Sequence, residues 1–299
     1  MTVPETESSD PATAELDAWG DHAILQVLWQ GQLAAAAAVG PALPAIAAAA
    51  GAAVGRLESG GRLAYAGAGT SGRIAAQDGA ELLPTFDWPE DRLLLLVAGG
   101  AAALLRAVEN AEDEAGQATR LIADHALDAC DVLIAVAASG ATPFTLACLD
   151  AAKEARALTI GIANSPDAPL LQQADHAILV QTGAEPIAGS TRMKAGTAQK
   201  IVLNLLSTLL MLRLGRVYRG QMVDMRAGNA KLRARAERML AGLTGCTDVA
   251  ARMALAAADG KVKLALLLLE GLDRTAAEAL LARHHGRIRP ALAELHASR

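Results

Sequence analysis

The sequence predicts an α/β fold: a doubly wound, five-stranded parallel sheet with flanking helices and a small helical subdomain at the C-terminus. Three observations predict it. Five short apolar segments, each bounded by Gly, Pro, Asp or Asn, alternate with helical stretches, the pattern of buried parallel strands joined by crossover helices. Glycine-rich loops follow the first and third of these segments. Past about residue 240, short helical runs separated by turn signals replace the strand pattern.

In chain order, residues 1–12 are acidic and polar and read as a flexible leader. Helical periodicity dominates from about Ala14 to Leu57, with a break expected near Gly40–Pro44. The predicted strands are Arg62–Ala66, Leu93–Ala98, Val132–Ala137, Leu158–Ala163 and His176–Gln181. A long apolar helix is expected over Ser190–Leu214, followed by helices at Asp248–Ala258, Lys261–Leu269, Thr275–Ala282 and Ile288–Ala297. The domain division expected from this pattern is a leader (1–12), a main domain (13–240) and a C-terminal helical subdomain (241–299).

Hydrophobic residues make up 53% of the 299 but aromatics only 2%, so the core must rest on Ala, Leu, Val and Ile in close contact. The net charge of −5 argues against nucleic acid as a partner, which would require a basic face. Cys130, Cys148 and Cys246 are odd in number and widely spaced, a pattern of neither a disulfide framework nor a zinc or redox motif. The N-terminus lacks the basic-then-apolar order of a signal peptide. The longest apolar stretch, Ala34 to Val54, is mostly Ala and Gly with two prolines and is a poor lipid segment. A soluble, cytoplasmic protein without membrane contact is expected.

The strongest local signal is Gly67-Ala68-Gly69-Thr70-Ser71-Gly72-Arg73, directly after the first predicted strand. Glycines allow a sharp turn and close approach of backbone to ligand. Thr70 and Ser71 add hydroxyls where a helix begins, and that helix end offers free N–H groups and a positive dipole end. Gly67-x-Gly69-x-x-Gly72 formally fits a dinucleotide fingerprint, but Leu93–Ala98 ends in Gly99-Gly100 and not in the acidic residue that fold needs. No Gly-Lys-Ser/Thr sequence is present, which excludes a P-loop. Taken alone, the motif also fits a Gly-rich turn that binds nothing. A second loop, Ala138-Ser139-Gly140-Ala141-Thr142-Pro143, follows the third strand and places Ser139 and Thr142 beside a glycine. Two such loops on one sheet fit a phosphosugar held by neutral donors, at the strand ends where ligands bind in parallel sheets.

Longer strings narrow the reading. The first loop is followed by Ala80-Glu81, Pro84-Thr85-Phe86, Gly99-Gly100 and Ala107-Val108-Glu109-Asn110-Ala111-Glu112-Asp113; Gly189-Ser190-Thr191-Arg192-Met193-Lys194-Ala195-Gly196-Thr197-Ala198-Gln199-Lys200 comes later. In order and spacing, over roughly residues 12 to 295, these resemble the N-acetylmuramic acid 6-phosphate etherases of the sugar isomerase (SIS) superfamily. The resemblance implies a cofactor-free and metal-free lyase of amino-sugar metabolism and cell-wall recycling. It removes D-lactate from N-acetylmuramic acid 6-phosphate by elimination across C2–C3 and then hydration, leaving N-acetylglucosamine 6-phosphate. It implies Glu81 and Glu112 as the catalytic pair, with Glu81 as the acid and Glu112 as the base. Read without it, Glu112 belongs to an exposed acidic helix face.

Substrate contacts are expected from Gly69, Thr70, Ser71, Gly72, Arg73, Ser139, Gly140 and Thr142, and from the third string through Glu185, Ser190, Thr191, Arg192 and Lys194. Ser190 is placed to cap the long helix, and Arg192 and Lys194 to meet a substrate anion or to pair with nearby acids. If 70–82 is one helix, Glu81 lies about 15 Å of rise from Ser71, too far to serve a sugar seated on its own Ser71. A homodimer with a site shared between subunits follows as an expectation.

Some positions depart from the family's pattern. Ala141 stands where Arg is common, Ala184 and Pro186 alter a GPEV-like run, and Thr6-Glu7-Ser8-Ser9-Asp10-Pro11 replaces a TExRNP-like string. Competing readings are a phosphosugar-sensing regulator, which needs no catalytic pair, and a phosphosugar isomerase.

Overall fold

Leu, Val, Ile and Ala run almost unbroken through the strand segments because most of the sheet is covered on both faces. The computed structural model describes residues 5–225 and 229–298. In chain order it places helices α1 (Asp21–Ala37) and α2 (Leu43–Glu58), strand β1 (Leu63–Gly67), α3 (Gly69–Ala80), α4 (Leu82–Phe86), β2 (Leu93–Val97), α5 (Ala102–Leu105) and α6 (Ala115–Asp124). There follow β3 (Val132–Val136), α7 (Pro143–Glu154), β4 (Leu158–Ala163), α8 (Pro169–Gln173), β5 (His176–Leu179) and α9 (Lys194–Arg213). A short antiparallel hairpin, β6 (Val217–Tyr218) and β7 (Gln221–Met222), leads to α10 (Ala230–Thr244), α11 (Asp248–Ala257), α12 (Val262–Leu269), α13 (Arg274–Arg283) and α14 (Ile288–Ala297).

All five predicted strands are present, each within two residues of its expected end. They form one parallel sheet in the order β2-β1-β3-β4-β5. Chain direction across the sheet therefore reverses between β1 and β3, the switch point at which crevices open in such folds. Ala64, Ala66, Leu133 and Ala135 share one core with Ala118 and Ile122 of α6 and Phe144, Cys148, Leu149 and Ala152 of α7. Helix α2 packs on β3, β4 and β5, and α3 on β1 and β2. The alanines Ala49, Ala50 and Ala53 are the buried stripe of α2, so the aromatic-poor composition becomes close helix approach. Burial in the α7 core pushes the Cys148 thiol up to about 12, which makes it unreactive at neutral pH.

Two compact units divide the chain, one taking residues up to Ala80 and Asp91–Leu209, the other Glu81–Glu90 and Leu210 onward. The segment 81–90 thus groups with the C-terminal helices. The cause lies in Arg216, which donates through Nη1 to the carbonyls of Phe86 (2.7 Å) and Asp87 (2.8 Å) and lies 5.2 Å from the ring centre of the buried Trp88. The same unit buries Lys263, whose Nζ is 2.6 Å from Asp224 Oδ2 and 2.6 Å from the Gly286 carbonyl. Burial raises the Asp224 pKa and lowers that of Lys263, each opposed by the partner's charge.

Ahead of α1, 3-10 turns form at Glu5–Glu7, Pro11–Thr13 and Leu16–Ala18. Thr6 is fully buried, its hydroxyl 3.3 Å from that of Ser165. Within Asp21–Glu58 the chain is apolar enough in length and composition to span a membrane, as it is over Lys194–Arg213. The first of these is two helices separated by the 3-10 turn Gly40–Ala42, and the second is about half buried.

At the amino end of the sheet, Arg62 and Asp131 form an ion pair at 2.6 Å, with Asp131 also accepting the backbone N–H groups of Arg62 and Asp128. Burial disfavours the Asp131 carboxylate, but the Arg62 side-chain bond, the two N–H donors and the Arg62 charge hold its pKa below the ordinary 3.8. A depressed carboxylate stabilises the fold above its unfolded pKa and loses that contribution as pH falls through the folded one. Asp131→Asn is expected to cost about 2–3 kcal/mol at pH 7, discounted for the partial exposure of Arg62. Urea midpoints of this variant should also fall less than wild type between pH 5 and 3.

Candidate active site

The first loop leaves β1 at Gly67 and enters α3 two residues later. Strand and helix meet backbone to backbone: a Cβ on Gly72 would lie 2.6 Å from the Gly67 carbonyl oxygen. Thr70 and Ser71 stand in the first turn of α3, where N–H groups have no acceptor inside the helix. Ser71 is largely buried and Thr70 half-buried. Arg73 donates through Nε to the Ala103 carbonyl at 2.8 Å and ties α3 to α5.

The second loop leaves β3 and enters α7 at Pro143, with Thr142 at the N-cap. Its hydroxyl makes no capping bond. Ser139 Oγ accepts from the Ala141 N–H at 3.2 Å and shapes the turn. Gly140 has φ +64°, and a Cβ there would sit 2.4 Å from the Ala168 methyl, so only glycine serves. Because β1 and β3 are neighbours, the two loops lie side by side at the switch point. Hydroxyls beside helix N-termini are groups whose chemistry suits an anion.

The third string closes the same end of the sheet. Helix α9 begins at Lys194 and not at Ser190, because another group caps it. The Glu185 carboxylate, fully buried, accepts the N–H groups of Lys194 (Oε2, 2.9 Å) and Ala195 (Oε1, 2.9 Å). The cap is therefore Glu185 and not the expected Ser190. A buried anion on a helix N-terminus is doubly favoured, by charge-assisted bonds and by the dipole. Lys194 Nζ donates to the Ala184 carbonyl at 2.8 Å, whereas Arg192 is exposed and Ser190 and Thr191 are half-buried in the preceding turn. Gly196 faces the methyl of Thr70, at 3.4 Å from where its Cβ would be, so this string and the first loop touch. Glu185→Gln, which keeps shape but removes charge and one acceptor, is expected to lower stability by about 2 kcal/mol, measured by denaturant unfolding.

Buried amides that sequence reasoning missed lock α9 to the sheet. Asn164, just after β4, donates to the Val180 carbonyl at 2.9 Å and accepts from Gln199 Nε2 at 2.9 Å. Asp78 of α3 accepts from Tyr65 (3.0 Å), Asn204 (3.0 Å) and Ser207 (3.3 Å). Gln199 lies within the segment Gly189–Lys200, but nothing local in the sequence pairs it with Asn164.

Glu112 lies in a 3-10 turn, Ala111–Asp113, entered from Asn110 at φ +59°. The expected acidic helix is therefore absent at this position, and α6 begins only at Ala115. The turn belongs to a segment folded back on the carboxyl end of β2, where Gly99 donates its N–H to Gln117 (3.5 Å) and its Cα faces Val108. Glu112 is exposed. Glu81, also exposed, occupies the N-cap position of α4 with φ −78° and ψ −12°. It follows directly on α3, whose last residue is nine positions and about 13.5 Å of helical rise from Ser71. Glu112 belongs to the first unit and Glu81 opens the second.

The five-stranded parallel sheet and the loops after β1 and β3 fall in the region that SIS-domain models match. The SIS domain matches residues 107–209, and the glucokinase regulatory protein N-terminal SIS domain matches residues 45–153. Among solved structures, the c3406 protein of E. coli CFT073, determined as a complex, shares the fold, with a TM-score of 0.50 and 17% identity over 69% of this chain and 97% of that one. An N-acetylmuramic acid 6-phosphate etherase of Deinococcus radiodurans is 48% identical over 98% of this chain and 97% of its own length. Those of Streptomyces avermitilis and Yersinia pestis are each 44% identical over 96% of this chain, and over 93% and 98% of their own. The chain belongs to the N-acetylmuramic acid 6-phosphate etherase family.

Proposed function

We propose that the chain cleaves the lactyl ether of N-acetylmuramic acid 6-phosphate, giving N-acetylglucosamine 6-phosphate and D-lactate. The observation that carries this reading is likeness to named etherases over nearly the whole length of both chains. The loop pair at the switch point supports it by supplying what a phosphate requires. Thr70, Ser71, Ser139 and Thr142 offer hydroxyls, and α3 and α7 offer N-terminal N–H groups. The exposed Arg192 is the cation for the lactyl carboxylate.

The reaction is a lyase step followed by hydration. A base removes the C2 proton, which is acidified by the aldehyde of the open-chain sugar. An acid protonates the ether oxygen at C3 as lactate departs. Water then adds across the C2–C3 double bond, with its oxygen on C3 and a proton on C2. Two carboxyl groups in different protonation states accomplish this without a cofactor. We assign the base to Glu112 and the acid to Glu81.

The working form is a homodimer, and the enzyme acts in the cytoplasm. Leu25, Trp29 and Leu33 recur at helical spacing on α1 and are 63%, 59% and 48% exposed, an apolar stripe suited to a second copy. The rise of α3 supports a shared site in which Glu81 serves the partner's sugar. Mixed dimers of Glu81→Ala and Ser71→Ala subunits should recover about a half of wild-type activity per hybrid dimer, or about a quarter per total protein after random mixing, since one site of two in each hybrid is intact; hybrids without activity would rule sharing out. For the reaction itself, the purified chain should release D-lactate from N-acetylmuramic acid 6-phosphate. Tight binding of the phosphosugar with no lactate released would instead favour the regulator reading.

A further inference from the structure

A fully buried threonine in the polar segment ahead of α1 is unusual, since threonine is mostly an exposed residue. Thr6 bonds Ser165, in the loop after β4 at the same end of the sheet as the phosphate loops. Its neighbour Glu7 is exposed, yet its direction is set: a Cβ on Gly189 would lie 2.8 Å from Glu7 Oε2. Gly189 has φ +71° and opens the turn through Ser190 and Thr191 to α9. A Cβ on Gly196 of α9 would in turn lie 3.3 Å from the Thr191 carbonyl oxygen and 3.4 Å from the Thr70 methyl. Contacts thus run unbroken from Glu7 through the 189–196 string to the first phosphate loop, all within one unit.

We infer that the N-terminal segment is a wall of the phosphosugar site, with Thr6 as its anchor and the Glu7 carboxylate as an acceptor for a sugar hydroxyl. The inference rests on the phosphosugar reading of the loops. A carboxylate is an acceptor only and repels phosphate, so Glu7 faces the uncharged part of the sugar while Ser71 and its neighbours hold the phosphate. It discriminates sugars by their hydroxyls: a site built to bond a hydroxyl rejects a ligand lacking it. Gly189 carries no side chain where one would collide with this carboxylate.

The test compares Glu7→Gln, Glu7→Ala and Thr6→Val with wild type. Three readouts are used: kcat/KM for N-acetylmuramic acid 6-phosphate, calorimetric affinity for N-acetylglucosamine 6-phosphate, and inhibition or binding by inorganic phosphate. Glu7→Gln and Glu7→Ala are expected to lower kcat/KM and phosphosugar affinity about 10- to 100-fold, with phosphate binding and thermal midpoint unchanged. Thr6→Val should weaken phosphosugar affinity several-fold by releasing the anchor. Values within twofold of wild type for both Glu7 variants would overturn the inference, and so would equal losses of phosphate and phosphosugar binding, which would mark a structural role. A wild type that binds the phosphosugar but releases no lactate would defeat the etherase reading alone, and the affinity arm would still decide the role of Glu7.

Discussion

Glutamine at Glu81 or at Glu112 is expected to slow lactate release by about 10²–10⁴-fold, the usual worth of a positioned proton-transfer group. Affinity for N-acetylglucosamine 6-phosphate should stay within a few-fold of wild type, since the proposed phosphate donors lie in the loops after β1 and β3. The assigned roles separate in heavy water. Without its acid, Glu81→Gln should still exchange the C2 proton of the substrate while releasing almost no lactate. Without its base, Glu112→Gln should do neither. The reverse pattern would exchange the roles, and full activity in either variant would remove that residue from the chemistry. Both side chains are exposed, so neither substitution should shift the thermal midpoint appreciably.

Gly72→Ala has the second large expected effect, and it acts through backbone geometry. The added methyl would stand 2.6 Å from the Gly67 carbonyl oxygen and 3.2 Å from Val97 Cγ1. The first neighbour is backbone at the end of a central strand and has no rotamer by which to escape. Overpacking of this kind costs about 1–3 kcal/mol, and relief requires α3 to lift from β1. Thr70 and Ser71 would move with it, so phosphosugar affinity should fall more than about 100-fold, a larger loss than the stability change implies. Gly51→Ala in α2 is the matched control. A Cβ there meets nothing within 4 Å, and a helix-interior Gly→Ala change should stabilise by about 0.5–1 kcal/mol. Calorimetric titration with N-acetylglucosamine 6-phosphate, alongside urea unfolding, checks both.

The sheet and its loops were legible because their causes are local. Strands such as Val132–Val136 are apolar at every position since both faces are covered, and the glycines after β1 and β3 mark turns that other residues cannot make. What stayed hidden depends on contacts distant in sequence. Arg216 draws residues 86 and 87 into the C-terminal unit across about 130 positions. Ser190 has the chemistry of a cap, but Glu185 reaches the N–H groups of residues 194 and 195 after a turn that periodicity does not reveal. Thr6 read as part of a loose leader because nothing near it in sequence signals Ser165.

The site was legible unevenly. Hydroxyl loops announce an anion by composition, whereas Glu112 sits in an acidic run that looks like solvated surface. Its assignment came through the resemblance, and its 3-10 turn gives that residue a fixed place without giving it a role. Glu185 shows the converse: a carboxylate singled out for its chemistry also caps the helix that follows the string.

Mass spectrometry of the products formed in H₂¹⁸O tests the elimination and hydration most directly. Cleavage at the C3 side of the ether followed by water addition places ¹⁸O in N-acetylglucosamine 6-phosphate, at C3, and leaves the lactate hydroxyl unlabelled. Label in that lactate hydroxyl, or substrate recovered intact after prolonged incubation, would contradict the account.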